Sequence, residues 1–380
     1  MTDVPGSRPP RVLHITEFVK GGTATYMNTL LGEQRADVGR SLARVRVLAT
    51  AQHREHIDAP DADVTTYDYP ARTPGNLRLL RRAIADELSA RPADVVHLHG
   101  SIVGGIARTM RLPKCEGRRP AVVYCAHGWS FLQDTSPLKK RAYTLLERLL
   151  ARRTDRTVCI SRDEFEGAVA AGLPKAKLDC VLNALPEDPP AAEPMSLPEN
   201  VAEGEGPLWL FVGRYDRQKG LDILLPAFEG DRGAGRLACV GGAIVGGDPL
   251  AFPPRTADLG WASPGQVQWL LARCDGLVVP SRWEGFGLVA AEAMRAGRAV
   301  IAAGRGGLPE VVVDGVTGRV VETLSADAFA DALRSCDGPT LRAWGEAGRT
   351  RFRERFTAAR MHAELLETYE RARLRGRKSS

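Results

Sequence analysis

GLVVPSRWEGFGLVAAEAMRA, residues 276–296, joins three kinds of sequence in one short stretch. Gly276–Ser281 is an apolar run that reads as a buried, parallel-type strand. WEGFG turns sharply, and LVAAEAMRA has the alanine content and spacing of a helix. The order is therefore strand, glycine loop, helix. Gly285 and Gly287 let the backbone approach a ligand closely. The amides of Phe286, Gly287 and Leu288 point out of the helix N-terminus, where an anion is favoured. Glu284 enters the loop and Glu292 lies eight residues on, in the helix. Two carboxylates thus flank one anion site, a combination suited to binding phosphate and hydroxyls together.

The same alternation extends outward from this stretch. RVLHIT (11–16), RVRVLAT (44–50), DVVHLHG (94–100), AVVYCAHG (121–128) and RTVCIS (156–161) read as strands separated by helical segments such as NLRLLRRAIADELSA. Residues 183–207 are rich in Pro, Glu and Ala and lack an apolar period, which marks a linker. Beyond them the alternation restarts with LWLFVGR (208–214), RLACVGG (236–242), GLVVPS and RAVIAAG (298–304). Alternating strands and helices predict parallel, doubly wound sheets, whose ligands gather at the C-terminal ends of the strands. We expect domains at 1–185 and 207–355, a linker at 186–206, and a terminal helix within 356–380. In that helix Met361, Leu365 and Tyr369 recur every four residues.

With 380 residues, 44% of them hydrophobic and 26% charged, the chain has the composition of an ordinary globular protein of about two domains. No apolar run approaches the roughly 20 residues of a membrane span, and Met1–Pro10 lacks a signal-peptide core, so a cytosolic protein is expected. The seven cysteines are scattered without a CxxC pair and read as reduced, buried small hydrophobes. A net charge of +6 suits anionic substrates or an anionic surface. Basic and aromatic residues do not interleave, which argues against nucleic acid.

Three further groups lie at predicted strand ends. In VGRYDRQKG, Arg214 follows its strand directly and Lys219 comes five residues later, so both cations stand over one loop where a diphosphate leaving group needs its charge neutralised. Gly21 and Gly22 follow the first strand and can bring amides to a phosphate. His97, His99 and His127 also fall at strand ends, where such histidines commonly satisfy loop backbone.

These motifs together resemble retaining GT-B glycosyltransferases of the family 4 type, the glycosyl transferases group 1. The resemblance rests on PS before Glu284, EGFGL, the AxEAMxxG continuation into Gly297, VGRxxxxKG and GGxPEVVxDGxxG (306–318), and it spans about 11–365. It implies an α/β, GT-B architecture: two Rossmann-like domains facing across a cleft, with the C-terminal helix crossing back to the first. It further implies that Arg214 and Lys219 hold the diphosphate, that Glu284 holds the sugar, and that the loop amides of Gly285, Phe286, Gly287 and Leu288 hold the sugar or diphosphate. Glu292 would hold the ribose, while His127, Gly21 and Gly22 meet the donor from the first domain. HxH (His97, His99) is then mainly structural. Leu259, Gly260 and Trp261 match the segment that packs the nucleobase, with Trp261 either stacking on the base or lying in the core.

The expected reaction is transfer of a sugar from a nucleotide-diphosphate sugar to a hydroxyl, with retention. The departing phosphate oxygen takes the acceptor proton, so no protein base is obligatory. No metal or cofactor is expected beyond the nucleotide-sugar co-substrate. Asp61-Ala62-Asp63 matches a DxD triplet but lies far in sequence from every donor motif. The acceptor is expected to be a lipid-linked saccharide of a surface polysaccharide, though soluble sugar acceptors fit nearly as well. Basic residues around LLERLL (Lys139, Lys140, Arg141, Arg148, Arg152, Arg153) and in the tail (Arg371, Arg373, Arg375, Arg377, Lys378) suggest peripheral contact with an anionic membrane at its inner face. Two other readings are a nucleotide-sugar 2-epimerase on the same architecture and a non-catalytic nucleotide-sugar-binding subunit.

Overall fold

A computed structural model describes residues 8–69, 73–229, 234–243 and 250–376. The apolar runs form one seven-stranded and one six-stranded sheet, with every paired strand parallel. In the first sheet the strands are β1 (Arg11–Thr16), β2 (Arg44–Thr50), β3 (Val64–Tyr67), β4 (Val95–His99), β5 (Ala121–Cys125), β6 (Arg156–Cys159) and β7 (Leu178–Cys180). In the second they are β8 (Leu208–Val212), β9 (Arg236–Val240), β10 (Thr256–Asp258), β11 (Gly276–Val279), β12 (Ala299–Ala303) and β13 (Gly318–Val321). Central strands such as β4, β5, β11 and β12 are buried along their whole length. Helices covering both faces explain why these strands read as continuous apolar runs instead of alternating ones.

The spatial orders are β3-β2-β1-β4-β5-β6-β7 and β10-β9-β8-β11-β12-β13. Each reverses direction once, between β1 and β4 and between β8 and β11. At such a switch point neighbouring crossovers leave on opposite faces and open a crevice at the strand C-termini. The four strands that the sequence pattern did not reveal, β3, β7, β10 and β13, are the four sheet edges. They are only three or four residues long, and each carries positions that are not fully buried, so no apolar run announces them.

The chain forms two compact units, one running to Ala184 and resuming at Ala358, the other spanning Leu185–Thr357. Residues 186–206 have little regular structure yet lie along the second unit. Val201 is buried, the Asn200 side chain donates to the carbonyls of Pro254 and Thr256, and the Glu193 amide donates to the Gly265 carbonyl. All seven cysteines are free, and all but the half-buried Cys180 are buried.

The terminal helix, Ala358–Gly376, belongs to the first unit, with Met361, Leu365 and Tyr369 fully buried. It is held there by polar contacts as well as by packing. Gln34 Nε2, on the helix Gly22–Ala36, donates to the Tyr369 hydroxyl at 2.9 Å, and His97 Nδ1 lies 2.9 Å from that same oxygen. Tyr369→Phe strands a buried amide N–H and a buried imidazole nitrogen, and it should lower unfolding free energy by about 1–3 kcal/mol in urea titrations. An unchanged midpoint would show that the hydroxyl contributes nothing to docking of this helix.

Candidate functional site

Three loops meet at the C-terminal ends of β8, β11 and β12, at and beside the switch point of the second unit. The first, after β8, carries Arg214 and Lys219; the second, after β11, carries Glu284 to Gly287; the third, after β12, carries Gly306 and Gly307. They pack backbone against backbone. A Cβ on Gly220, which has φ +72°, would lie 2.1 Å from the Pro280 carbonyl oxygen. One on Gly306, at φ +57°, would lie 1.9 Å from the Glu284 carbonyl oxygen. The Gly307 amide donates to that carbonyl at 3.0 Å, and Arg282 N donates to the Gln218 carbonyl at 2.8 Å. Only glycine allows these approaches.

The side chains follow from that frame. Lys219 Nζ and Glu284 Oε2 form an ion pair at 2.5 Å, both largely buried, and the Ser281 hydroxyl lies 3.4 Å from the same oxygen. Arg214 is half-exposed, paired with Asp216 at 3.0 Å and donating to Gln218 Oε1 at 2.8 Å. Gln218 Nε2 donates in turn to the Trp283 carbonyl. Arg282 grips Asp222 through two bonds of 2.8 and 2.6 Å and ties the β11 loop to the helix after Gly220. Gln218, Asp222, Ser281 and Arg282 were not among the sequence candidates. Polar residues close to motif positions are their only signal.

The helix Leu288–Arg295 starts at Gly287 in a left-handed conformation (φ +95°), with no side chain capping it and no acid in its first turn. Its first amides therefore point toward the loop and have no intrahelical partners. Phe286 contributes by its backbone alone: its ring is 2% exposed and packs edge-on against Phe356, 5.5 Å between centroids. Glu292 is half-buried one turn further on. Desolvation raises its carboxyl to about 7, with Arg295 pulling it back only in part. Near β9 and β10, Trp261 is 64% exposed, which rules out the core alternative for this ring. Its indole lies over Gly242. Glu310 lies in the first turn of the helix Leu308–Val311.

In the first unit the switch point between β1 and β4 gathers a different chemistry. His97 and His99 project from one face of β4, and His14, which faces His97 in register on β1, joins them. His14 Nε2 lies 2.7 Å from Gln34 Oε1, His14 Nδ1 lies 3.0 Å from His99 Nε2, and His99 Nδ1 lies 2.9 Å from His127 Nε2. Gln34 donates through Nε2 to Tyr369, so its oxygen must accept from His14 Nε2–H. His14 Nδ1 then accepts from His99, and His99 Nδ1 accepts from His127. The bonds run in one direction from His127 to Tyr369. One ring nitrogen from each of His14, His97 and His99 lies within 4.8 Å of the others, a spacing open to a cation. Two of these residues, His14 and His99, are already hydrogen-bonded to each other.

His127 ends this chain, its Nδ1 3.6 Å from the Cys125 thiol, in the left-handed region at φ +54°. Burial lowers its imidazole to about 4, as it does that of His14. At neutral pH it is therefore uncharged, and its Nε2–H is committed to His99, which makes it a poor general acid and suits it to positioning. Gly21, at φ +55°, precedes the uncapped helix Gly22–Ala36 at the end of β1. Gly21, Gly22 and His127 thus lie in the first unit, while Arg214, Lys219, Glu284 to Leu288 and Glu292 lie in the second. Asp61 and Asp63 pair with Arg54 and Arg44 beside β3, away from the switch points.

Two doubly wound parallel sheets, the second with cationic and glycine-rich loops at its switch point, are the components of a GT-B glycosyltransferase fold. Residues 206–336 match the model of glycosyl transferases group 1, and residues 21–184 match that of the glycosyl transferase 4-like domain. The chain belongs to this glycosyltransferase family. A Klebsiella pneumoniae protein described as an uncharacterized 41.2 kDa protein in the cps region is 33% identical over 341 residues, covering 88% of this chain and 91% of that one. D-inositol 3-phosphate glycosyltransferase of Corynebacterium aurimucosum is 38% identical over 154 residues, 36% of this chain and 37% of that protein. Among solved structures, sucrose-phosphate synthase from Thermosynechococcus elongatus aligns over 96% of this chain and 98% of its own, with TM-score 0.75 and 21% identity. Anabaena HepE in complex with UDP-glucose aligns over 95% and 99%, with TM-score 0.73 and 20% identity.

The raised carboxyl of Glu292 makes a pH-dependent prediction. The folded protein holds a proton there that the unfolded chain has released, so this group's contribution to stability falls as pH rises from the ordinary glutamate range through about 7. Glu292→Gln should melt close to wild type at about pH 5 and at a higher temperature than wild type at about pH 8. Parallel melting curves at both pH values would mean that the carboxylate is well solvated.

Proposed function

We propose that the protein is a retaining, metal-independent glycosyltransferase that moves a sugar from a nucleotide-diphosphate sugar to a hydroxyl of a lipid-linked saccharide. The acceptor would be a surface-polysaccharide intermediate met at the cytoplasmic face of an anionic membrane. The observation that carries the donor half is the Lys219–Glu284 pair, set among the glycine loops at the β8/β11 switch point. The relative in a cps region, the UDP-glucose complex of HepE and the fold shared with the lipopolysaccharide enzymes WaaB and WaaG support the choice of donor class and acceptor.

In this reading the ligand-free ion pairs are exchanged on binding. The diphosphate competes for Lys219 and Arg214, which releases Glu284 from Lys219 and Asp216 from Arg214. Glu284 is then free to accept hydrogen bonds from sugar hydroxyls. The amides of Gly285 to Leu288 add donors at the helix N-terminus, Glu292 takes the ribose hydroxyls, and Trp261 offers a face to the base. Charge on the leaving diphosphate grows as the glycosidic bond breaks, and cations already in place stabilise it without reorganisation. His127, Gly21 and Gly22 are proposed as further donor-binding groups.

Thermal melts with UDP, GDP, ADP and their sugars should show one nucleotide family raising the transition by mass action. Lys219→Ala should lose that shift and lower kcat/KM by about 10²–10³-fold, while the ligand-free melting temperature moves by only a few degrees. Full transfer by this variant would remove the assignment. A product of the opposite anomeric configuration would overturn retention alone, and sugar release without acceptor would favour epimerase chemistry.

A further inference from the structure

The helix Pro137–Leu150 in the first unit turns its apolar side the wrong way for a globular protein. Only Glu147 and Leu150 on it are buried. Leu138, Leu145 and Leu149 are 78%, 59% and 50% exposed. With Ala142 they recur at i, i+4, i+7 and i+11, which aligns them in one stripe along the helix. At 3.6 residues per turn, Lys139 borders one edge of the stripe and Arg141 the other, while Arg148, on the Arg141 side, turns back to donate through Nε to the Ala171 carbonyl.

The opposite side explains why the stripe faces outward. Glu147 receives bonds of 2.9 and 3.1 Å from the buried Arg108, whose guanidinium also stacks 3.7 Å over the Tyr124 ring. The Tyr124 hydroxyl donates to the same carboxylate at 3.3 Å. A buried ion pair missing one partner is strongly penalised, so the helix cannot roll its leucines inward without breaking this anchor. Its orientation is fixed from beneath.

We infer that this helix is the surface by which the protein lies on an anionic lipid bilayer. An apolar stripe at helical spacing, flanked by cations, matches a helix that seats its leucines between acyl chains while lysine and arginine meet lipid phosphates. A second copy of the chain is a poorer occupant, because it would set Lys139 and Arg141 against identical charges. The basic tail plays a different part: Arg371 is engaged with Asp179 and Glu367, Arg373 donates to the Arg8 carbonyl, and Arg377 and Lys378 lie outside the described residues. The inference deepens the proposed function, since a lipid-linked acceptor has to be met at a membrane.

The test is co-sedimentation of the full chain with phosphatidylcholine vesicles, with and without phosphatidylglycerol, in the absence of donor and acceptor. Binding should require phosphatidylglycerol and weaken with salt. It should fall by about tenfold or more in Leu145→Gln/Leu149→Gln and, separately, in Lys139→Glu/Arg141→Glu. Both variants alter exposed positions and should keep the wild-type melting temperature. Equal binding to neutral vesicles, wild-type binding by either variant, or a dimer in gel filtration that the leucine variant converts to monomer would overturn the inference. Vesicle binding is read without any transfer, so its failure and the failure of the enzymatic reading are separate results.

Discussion

The candidate donor site depends on the close approach of peptide backbones. Added Cβ atoms at Gly220, Gly241 and Gly306 would lie 2.1, 1.8 and 1.9 Å from the carbonyl oxygens of Pro280, Gly213 and Glu284. No side chain survives at such separations, and all three glycines also adopt positive φ. The loops after β8, β9, β11 and β12 are therefore locked together before any side chain is placed. Leu308 packs beneath Gly287 and fixes the start of the helix whose amides face the loop. Lys219 and Glu284 then meet because their loops have nowhere else to go.

The two units share a topology and use it for opposite electrostatics. At the β8/β11 switch point, partly exposed cations and carboxylates are paired and can be re-paired by an anionic ligand. At the β1/β4 switch point, burial holds His14, His97, His99 and His127 neutral; His127, His99 and His14 form a directed chain of hydrogen bonds that reaches Tyr369 through Gln34, and His97 meets the same hydroxyl. A charge in that chain would carry the full desolvation cost. A neutral imidazole can donate at one nitrogen and accept at the other, which suits it to linking strands, loop and terminal helix without an ion.

The terminal helix gains its importance from this chain. Tyr369 is the common partner of Gln34 and His97, so a residue near the C-terminus completes the polar core of the N-terminal sheet. The helix Pro137–Leu150 is anchored by a similar buried device, Arg108–Glu147–Tyr124, and uses it to present apolar residues outward. In both cases a satisfied polar cluster decides which way a helix faces, where hydrophobic burial alone would have allowed others.

Local pattern made the central strands, the glycine loops after β8, β11 and β12, and the four-residue period of the last helix readable from sequence, because each is set by residues within a few positions of one another. Arg214, Lys219, Glu284 and Glu292 were recognisable for the same reason: they sit at fixed offsets from a strand end. The edge strands β3, β7, β10 and β13 were not, since short, half-exposed segments carry no apolar period. Tertiary structure alone decided that Lys219 pairs with Glu284, that His14, Gln34 and Tyr369 join the HxH histidines, that Trp261 is exposed and that Leu138, Leu145 and Leu149 face solvent. Those outcomes depend on which distant segments the crossovers bring side by side, and on which polar groups find partners once water is excluded. Neither quantity is written in the spacing of residues along the chain.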